Sequence, residues 1–100
     1  MKIKWTDLAK FQLKGIFIYH KSNVSEKVAE KIRKSVVDAV HILYKNPLAG
    51  PTEPLLIKRN KNFRYLVQGN YKIIYWIDKE IIFIASVFDC RQNPTKMKVV

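Results

Sequence analysis

Cysteine, histidine, glycine and acidic residues are the scarce components of this 100-residue chain, and each scarcity removes a class of function. A single cysteine, Cys90, cannot close a disulfide within the chain, which fits a reducing compartment better than an oxidising one. Two histidines, His20 and His41, together with that one thiol supply neither a metal-ligand spacing nor a nucleophilic triad, so no metal and no cofactor is expected. Gly15, Gly50 and Gly69 stand alone, which leaves no glycine-rich loop to cradle a nucleotide's phosphates. No apolar run approaches a membrane-spanning length. The opening Met1-Lys2-Ile3-Lys4-Trp5-Thr6-Asp7 also lacks the apolar core of a signal peptide. The expectation is a soluble, cytoplasmic protein with no membrane partner. Repeats and low-complexity tracts are absent as well.

Only 8 Asp and Glu stand against 19 Lys and Arg, giving a net charge of +11. The resulting positive potential attracts nucleic acid, an anionic surface or an acidic protein, and charge alone does not choose among them. With 48% hydrophobic residues, the chain has material for one core and no room for a second domain, so residues 1–100 are read as a single domain.

The order of elements follows from periodicity. Ile3 and Trp5 alternate with Lys2 and Lys4, which predicts a short opening strand, and Thr6-Asp7 offers an N-cap with a carboxylate in the first turn of a helix. Leu8, Ala9, Leu13, Ile16, Phe17, Tyr19 and His20 fall on one stripe of that helix, opposite Lys10, Lys14 and Lys21. His20 reads as a histidine at the core's edge. Phe11 and Ile18, seven residues apart, lie off the stripe and are either scattered exposed apolar residues or a docking surface for another helix. Asn23 with Glu26 resembles a capping box for a second helix running to about Tyr44, with Val28, Ala29, Ile32, Val36, Ala39, Val40 and Leu43 on its buried side and His41 on its wet side. The two helices should form an antiparallel hairpin. Asn46-Pro47-Leu48-Ala49-Gly50-Pro51 ends helicity.

Strands are expected at Leu55–Lys58, Phe63–Gln68, Tyr71–Ile77 and Ile81–Phe88, with a polar turn at Arg59-Asn60-Lys61-Asn62, a Gly69-Asn70 hairpin and a connection through Asp78-Lys79-Glu80. Side-chain alternation assigns Leu66, Tyr71, Ile73, Tyr75, Ile77, Phe83, Ala85 and Val87 to one face. Phe63, Tyr65, Val67, Ile74, Trp76, Ile82, Ile84 and Phe88 go to the other. Both faces are apolar, yet the helices suffice to cover one, so the second face is expected to lie bare and to meet a partner. Together with the outer helix face, it nominates Phe11, Ile18, Tyr65, Lys72, Ile74, Trp76 and Ile84 as partner-binding residues. The tail from Gln92 to Lys98 has little core potential, although Met97, Val99 and Val100 are apolar enough to cover something.

One reaction remains open to such a chain. Scission of RNA by its own 2′-hydroxyl needs no metal and no covalent intermediate, only a proton acceptor, cations against the developing phosphorane charge and an acid for the leaving oxygen. Arg64, Lys72 and Arg91 are the candidate catalytic cations, with Tyr65 or Tyr71 as a proton donor. A base is harder to find, Asp89 being the only carboxylate in the strand that leads to Arg91. The same cations also suit an ordinary strand edge, where charge discourages sheet-to-sheet association. In a ribonuclease, replacing Lys72 or Arg91 with Ala should abolish cleavage with little change in melting temperature, since exposed cations contribute little to stability.

Leu8 to Tyr19, a second helix ending in Asn46-Pro47-x-x-Gly50, then Phe63-Arg64, Asn70-Tyr71-Lys72-Ile73-Ile74-Tyr75 and Val87-x-x-x-Arg91-Gln92 together resemble the RelE/ParE superfamily of toxins from bacterial type II toxin–antitoxin systems. The resemblance covers nearly the whole chain. It implies an α+β fold in which a short N-terminal strand and a two-helix hairpin pack on a twisted, mostly antiparallel sheet, in the order β-α-α-β-β-β-β. It also implies a role in plasmid stabilisation and growth inhibition, and a cognate acidic antitoxin whose disordered segment folds over the toxin in a hetero-oligomer.

RelE-like members of that superfamily cleave messenger RNA on the ribosome with basic residues on the sheet, whereas ParE-like members poison DNA gyrase and lack that catalytic set. Lys72 falls where the ribonucleases tend to carry an arginine, and Arg91 lies near their second one, but Gln92-Asn93-Pro94 lacks the tyrosine that several of them place there. The long helices and Val87-x-x-x-Arg91-Gln92 resemble the ParE-like branch more closely, so gyrase is the expected target and the ribosome with its message the alternative. Lys27, Lys31 and Lys34 leave a third reading, a non-toxic module that binds nucleic acid or sequesters an antitoxin.

Overall fold

The computed structural model describes residues 1–56 and 61–91. The chain begins with a strand, Lys2–Trp5 (β1), and turns directly into a helix, Asp7–Asn23 (α1). Thr6 makes that junction. Its hydroxyl accepts the Ala9 N–H at 3.2 Å as the N-cap, and lies 2.9 and 3.1 Å from the Ile84 and Ala85 carbonyls, to which it donates. One side chain thus fixes where the strand stops, where the helix starts and where both sit on the sheet.

The second helix is Glu26–His41 (α2), followed by a single 3₁₀ turn at Ile42–Tyr44 before Pro47 excludes further helix. Its cap is Ser25, whose Oγ accepts the Val28 N–H at 3.1 Å, and not the expected Asn23. Asn23 still belongs to α1, where its amide donates to the Tyr19 carbonyl at 2.7 Å and serves that helix's C-terminal end. Val24 and Ser25 N–H groups both bond the His20 carbonyl, which tightens the turn between the helices.

Three further strands, Arg64–Gln68 (β2), Tyr71–Asp78 (β3) and Ile81–Asp89 (β4), complete a four-stranded sheet in the order β1-β4-β3-β2. β1 runs parallel to β4, and the other two pairings are antiparallel. Among the described residues the architecture is the expected α+β arrangement with one strand fewer. Pro54–Leu56 forms a 3₁₀ turn rather than the start of a strand, with the Leu56 N–H bonded to the Glu53 carbonyl at 3.2 Å; among the described residues of this segment Thr52 alone bridges to Arg64. The remainder of that expected strand, the Arg59-Asn60 part of the expected turn and the tail after Arg91 lie outside the described residues.

Gly69-Asn70 closes the β2–β3 hairpin, with Gly69 at φ 59°. The β3–β4 turn is shorter than expected. Asp78 pairs with Ile81, so the turn is the two residues Lys79-Glu80, and Lys79 takes φ 55° without being glycine. This register reverses the expected facing of the first half of β4: Ile82 and Ile84 point toward the helices with Ile77 and Tyr75, while Phe83 and Ala85 lie on the far side with Trp76. A bulge then restores the expectation. Tyr75 pairs with Ile84 but Ile74 with Ser86, so Ala85 is an extra residue and Val87 returns to the helix side.

The helix-side core joins Ala9, Val36, Ala39, Val40 and Leu43 to Tyr71, Ile73, Tyr75, Ile82, Ile84 and Val87. A second cluster on the opposite face joins Leu56, Phe63, Ile74, Trp76, Ala85 and Phe88, all buried. The second face is therefore not bare, contrary to the sequence expectation. The segment after Gly50 turns back along β2, with Glu53 N–H bonded to the Phe63 carbonyl and Tyr65 N–H to the Pro51 carbonyl, and brings Leu56 into this cluster. The aromatic residues also cover one another: Trp76 stacks on Phe83 at 4.7 Å between ring centres and meets Phe63 edge-on at 5.8 Å.

Candidate functional site

The three cations nominated from sequence do not converge. Arg64 pairs across the ladder with Tyr75, which places it on the helix side, where its Nη1 donates to the Gly50 carbonyl at 2.7 Å. Tyr75 completes that arrangement by accepting the Gly50 N–H and donating to the Pro47 carbonyl, each at 2.9 Å. Burial raises the Tyr75 phenol above its ordinary pKa, so it keeps the proton it donates. Arg64 and Tyr75 together pin the Pro47–Gly50 turn to the sheet.

Lys72 points to the opposite face, being paired with Val67 and Phe88. Its ammonium lies 2.8 Å from Oε2 of Glu53, outside hydrogen-bonding angles, and 4.5 Å from the centre of the Tyr65 ring. Glu53 is completely buried, and its other oxygen accepts the Leu55 N–H at 3.1 Å. Lys72 is a counter-ion held in the structure rather than a free surface charge.

Arg91 reaches back to Asp89, with Nε 3.0 Å from Oδ1 and Nη2 2.8 Å from Oδ2. This bidentate contact holds the Asp89 carboxyl below its usual range and pushes the Arg91 guanidinium above its own. The pair borders a cleft of about 500 Å³ between α1 and β4, lined among others by Gln12, Gly15, Tyr19 and Tyr71. There Gln12 Oε1 accepts the Val87 N–H at 2.7 Å, and His20 Nε2 lies 3.0 Å from the Tyr71 hydroxyl, whose pKa burial raises. Tyr65 stands beside Lys72 on the far face, so neither tyrosine joins a set that includes all three cations.

The nominated partner-binding residues divide as well. Phe11 is 75% exposed and Ile18 50% exposed on the outer side of α1. Tyr65 is half-buried. Ile74 and Ile84 are fully buried and Trp76 nearly so, Ile84 beneath the helices and the other two within the far-side cluster, so these three present no free surface. A second groove, of about 420 Å³, runs along α1 near β1, with Trp5, Leu13 and Phe17 as its floor and Lys10, Lys14, Glu30 and Arg33 around it.

Sequence reasoning missed Glu53 altogether. A signal was there: it is the only carboxylate between Asp38 and Asp78, a stretch with six Lys and Arg residues. It also missed Gln12 and the Tyr75–Gly50 contact, which depend on a side chain meeting backbone far away in sequence and carry no local pattern. Among the described residues, no group of His, Cys, Asp and Glu is arranged to hold a metal ion, and no helix is long and apolar enough to cross a membrane.

Residues 3–94 match the family model described as the ParE toxin of the type II toxin–antitoxin system parDE. The fold is similar to a solved chain of the chromosomal ParDE toxin–antitoxin system from P. aeruginosa, with a TM-score of 0.74 at 20% identity, over 89% of this chain and 95% of that one. No curated protein sequence matches this chain significantly.

Proposed function

This chain belongs to the ParE toxin family of type II toxin–antitoxin systems, and from that premise we propose that it arrests growth by poisoning DNA gyrase in the cytoplasm and is kept harmless by a cognate acidic antitoxin. In this reading it works by binding to its target rather than by cutting RNA, and it serves to stabilise the replicon that encodes the pair.

The observation that carries the choice of target is the fate of Arg64, Lys72 and Arg91. Charge stabilisation of a phosphorane needs donors aimed together at the place where charge develops. Here Arg64 holds the Gly50 carbonyl, Lys72 neutralises buried Glu53 on the other face, and Arg91 is paired with Asp89. A ribonuclease built on these residues would have to break three structural contacts before it could act.

The +11 charge supports the partner half of the proposal, since an acidic, partly disordered antitoxin gains charge complementarity while ordering on the surface. Inducing the chain alone, and together with the small gene beside it, tests the pair. Growth arrest by the chain alone that is relieved by the neighbour is expected; equal growth in both cultures contradicts toxicity.

A further inference from the structure

α1 and α2 lie side by side, yet their outer surfaces differ in kind. α1 exposes Phe11, Ile18 and Tyr19, whereas every exposed residue of α2 is charged or is His41, and the helix contains no Phe, Tyr or Trp. Lys27, Lys31 and Lys34 project from successive turns of its outer side, spanning about 10 Å of helix axis. With Glu26 and Glu30 they line a shallow, open hollow of about 660 Å³.

The acidic residues of this face are already engaged. Glu26 is met by Lys21 at 3.7 Å, Glu30 by Arg33, and Asp38 by Lys34 at 2.8 Å. Every Asp and Glu of the chain lies among the described residues, and none is within ion-pair distance of Lys27 or Lys31. α2 therefore carries two uncompensated ammonium groups about one turn apart, on a molecule of net charge +11.

The chemistry of this face selects its partner. A protein interface needs apolar or aromatic anchors, and the outer side of α2 offers none. Single-stranded nucleic acid is held largely by stacking its bases on aromatic rings, which are equally absent here. The backbone of a duplex asks for neither, because it presents a dense row of phosphates to point charges.

We propose that the outer side of α2 is a contact for duplex DNA, with Lys27 and Lys31 each neutralising a backbone phosphate. The contact reads no bases and is independent of sequence. In a toxin directed at an enzyme of DNA topology, it concentrates the toxin where that enzyme holds DNA. The inference goes beyond the gyrase reading and stands without it.

Fluorescence anisotropy of a short labelled DNA duplex, titrated with the purified toxin at several salt concentrations, tests it. Binding that weakens steeply with salt is expected. Lys27→Gln with Lys31→Gln should weaken it about tenfold at low salt and reduce the slope of log K against log salt by about 2, as for two lost phosphate contacts. Lys10→Gln with Lys14→Gln removes the same charge from α1 and should weaken binding less than about threefold, since charges away from the contact are screened. Circular dichroism and melting curves close to wild type are expected for both variants, because all four lysines are exposed. Absence of duplex binding by the wild type at low salt would overturn the proposal. Equal losses in the two variants would overturn it as well, reducing the attraction to net charge, as would tighter binding of a single-stranded oligonucleotide or of anionic vesicles. The titration contains no gyrase, so its failure leaves the target assignment standing, and failure of the target assignment leaves this surface standing.

Discussion

Lys72 places its ammonium 2.8 Å from the carboxylate of Glu53, which is completely buried beneath the far face of the sheet. A buried carboxylate without its counter-ion is far more costly than a lost surface pair. Lys72→Met should therefore destabilise the fold by about 3–5 kcal/mol, and adding Glu53→Gln should recover much of that loss. Urea denaturation of the two variants checks this. The result would reverse what the sequence suggests for Lys72, whose position at a strand end reads as an exposed and dispensable cation.

Tyr75 and Gly50 form a second long-range lock. Tyr75→Phe leaves the Gly50 N–H and the Pro47 carbonyl without their partner and should cost about 1–3 kcal/mol by the same measurement. Gly50→Ala should be worse, because a Cβ at Gly50 would overlap the Tyr65 backbone carbonyl and the sheet cannot yield there.

Thr6 joins β1, α1 and β4 through one hydroxyl. Thr6→Val removes the helix cap and the bonds to the Ile84 and Ala85 carbonyls at nearly constant volume, and a loss of about 1–2 kcal/mol is expected, whereas Thr6→Ser should retain most of the stability. Thermal melts distinguish the two.

The Asp89–Arg91 pair sets an acid-range dependence with a definite sign. Hydrogen bonding to Arg91 lowers the folded-state pKa of Asp89 below its ordinary 3.8, so the pair's contribution is complete above that value and disappears as pH falls through the lower, folded value. In Arg91→Gln the Asp89 titration, followed by carboxyl carbon NMR, should move upward. An unchanged midpoint would show that the contact is not maintained in solution.

Much of the fold was legible because it is written in local periodicity. The α2 stripe, the Gly69-Asn70 hairpin and the apolar β3 and β4 are short-range patterns, and the RelE/ParE resemblance ordered them correctly. The facing of β4 was not legible, since a two-residue turn at Lys79-Glu80 and a bulge at Ala85 each shift alternation by one residue without leaving a mark in composition. The burial of Ile74 and Trp76 escaped for a different reason: the chain after Gly50 reads in sequence as the end of helicity followed by a strand from Leu55, and only the folded chain shows residues 51–56 lying against β2. Phe11 and Ile18 were legible as exposed residues from helical angles alone. Arg64, Lys72 and Arg91 were legible as cations in or beside the strands, but their carboxylate and carbonyl partners, which decide whether they are free to act, are tertiary facts.

The target assignment can be put to one side-by-side measurement with purified toxin: supercoiling of relaxed plasmid by DNA gyrase, run beside cleavage of a defined message on programmed ribosomes. Loss of supercoiling with accumulation of gyrase-linked DNA breaks, and an intact message, is the predicted result. Unimpaired supercoiling with a cleaved message would contradict it and return Arg64, Lys72 and Arg91 to catalysis.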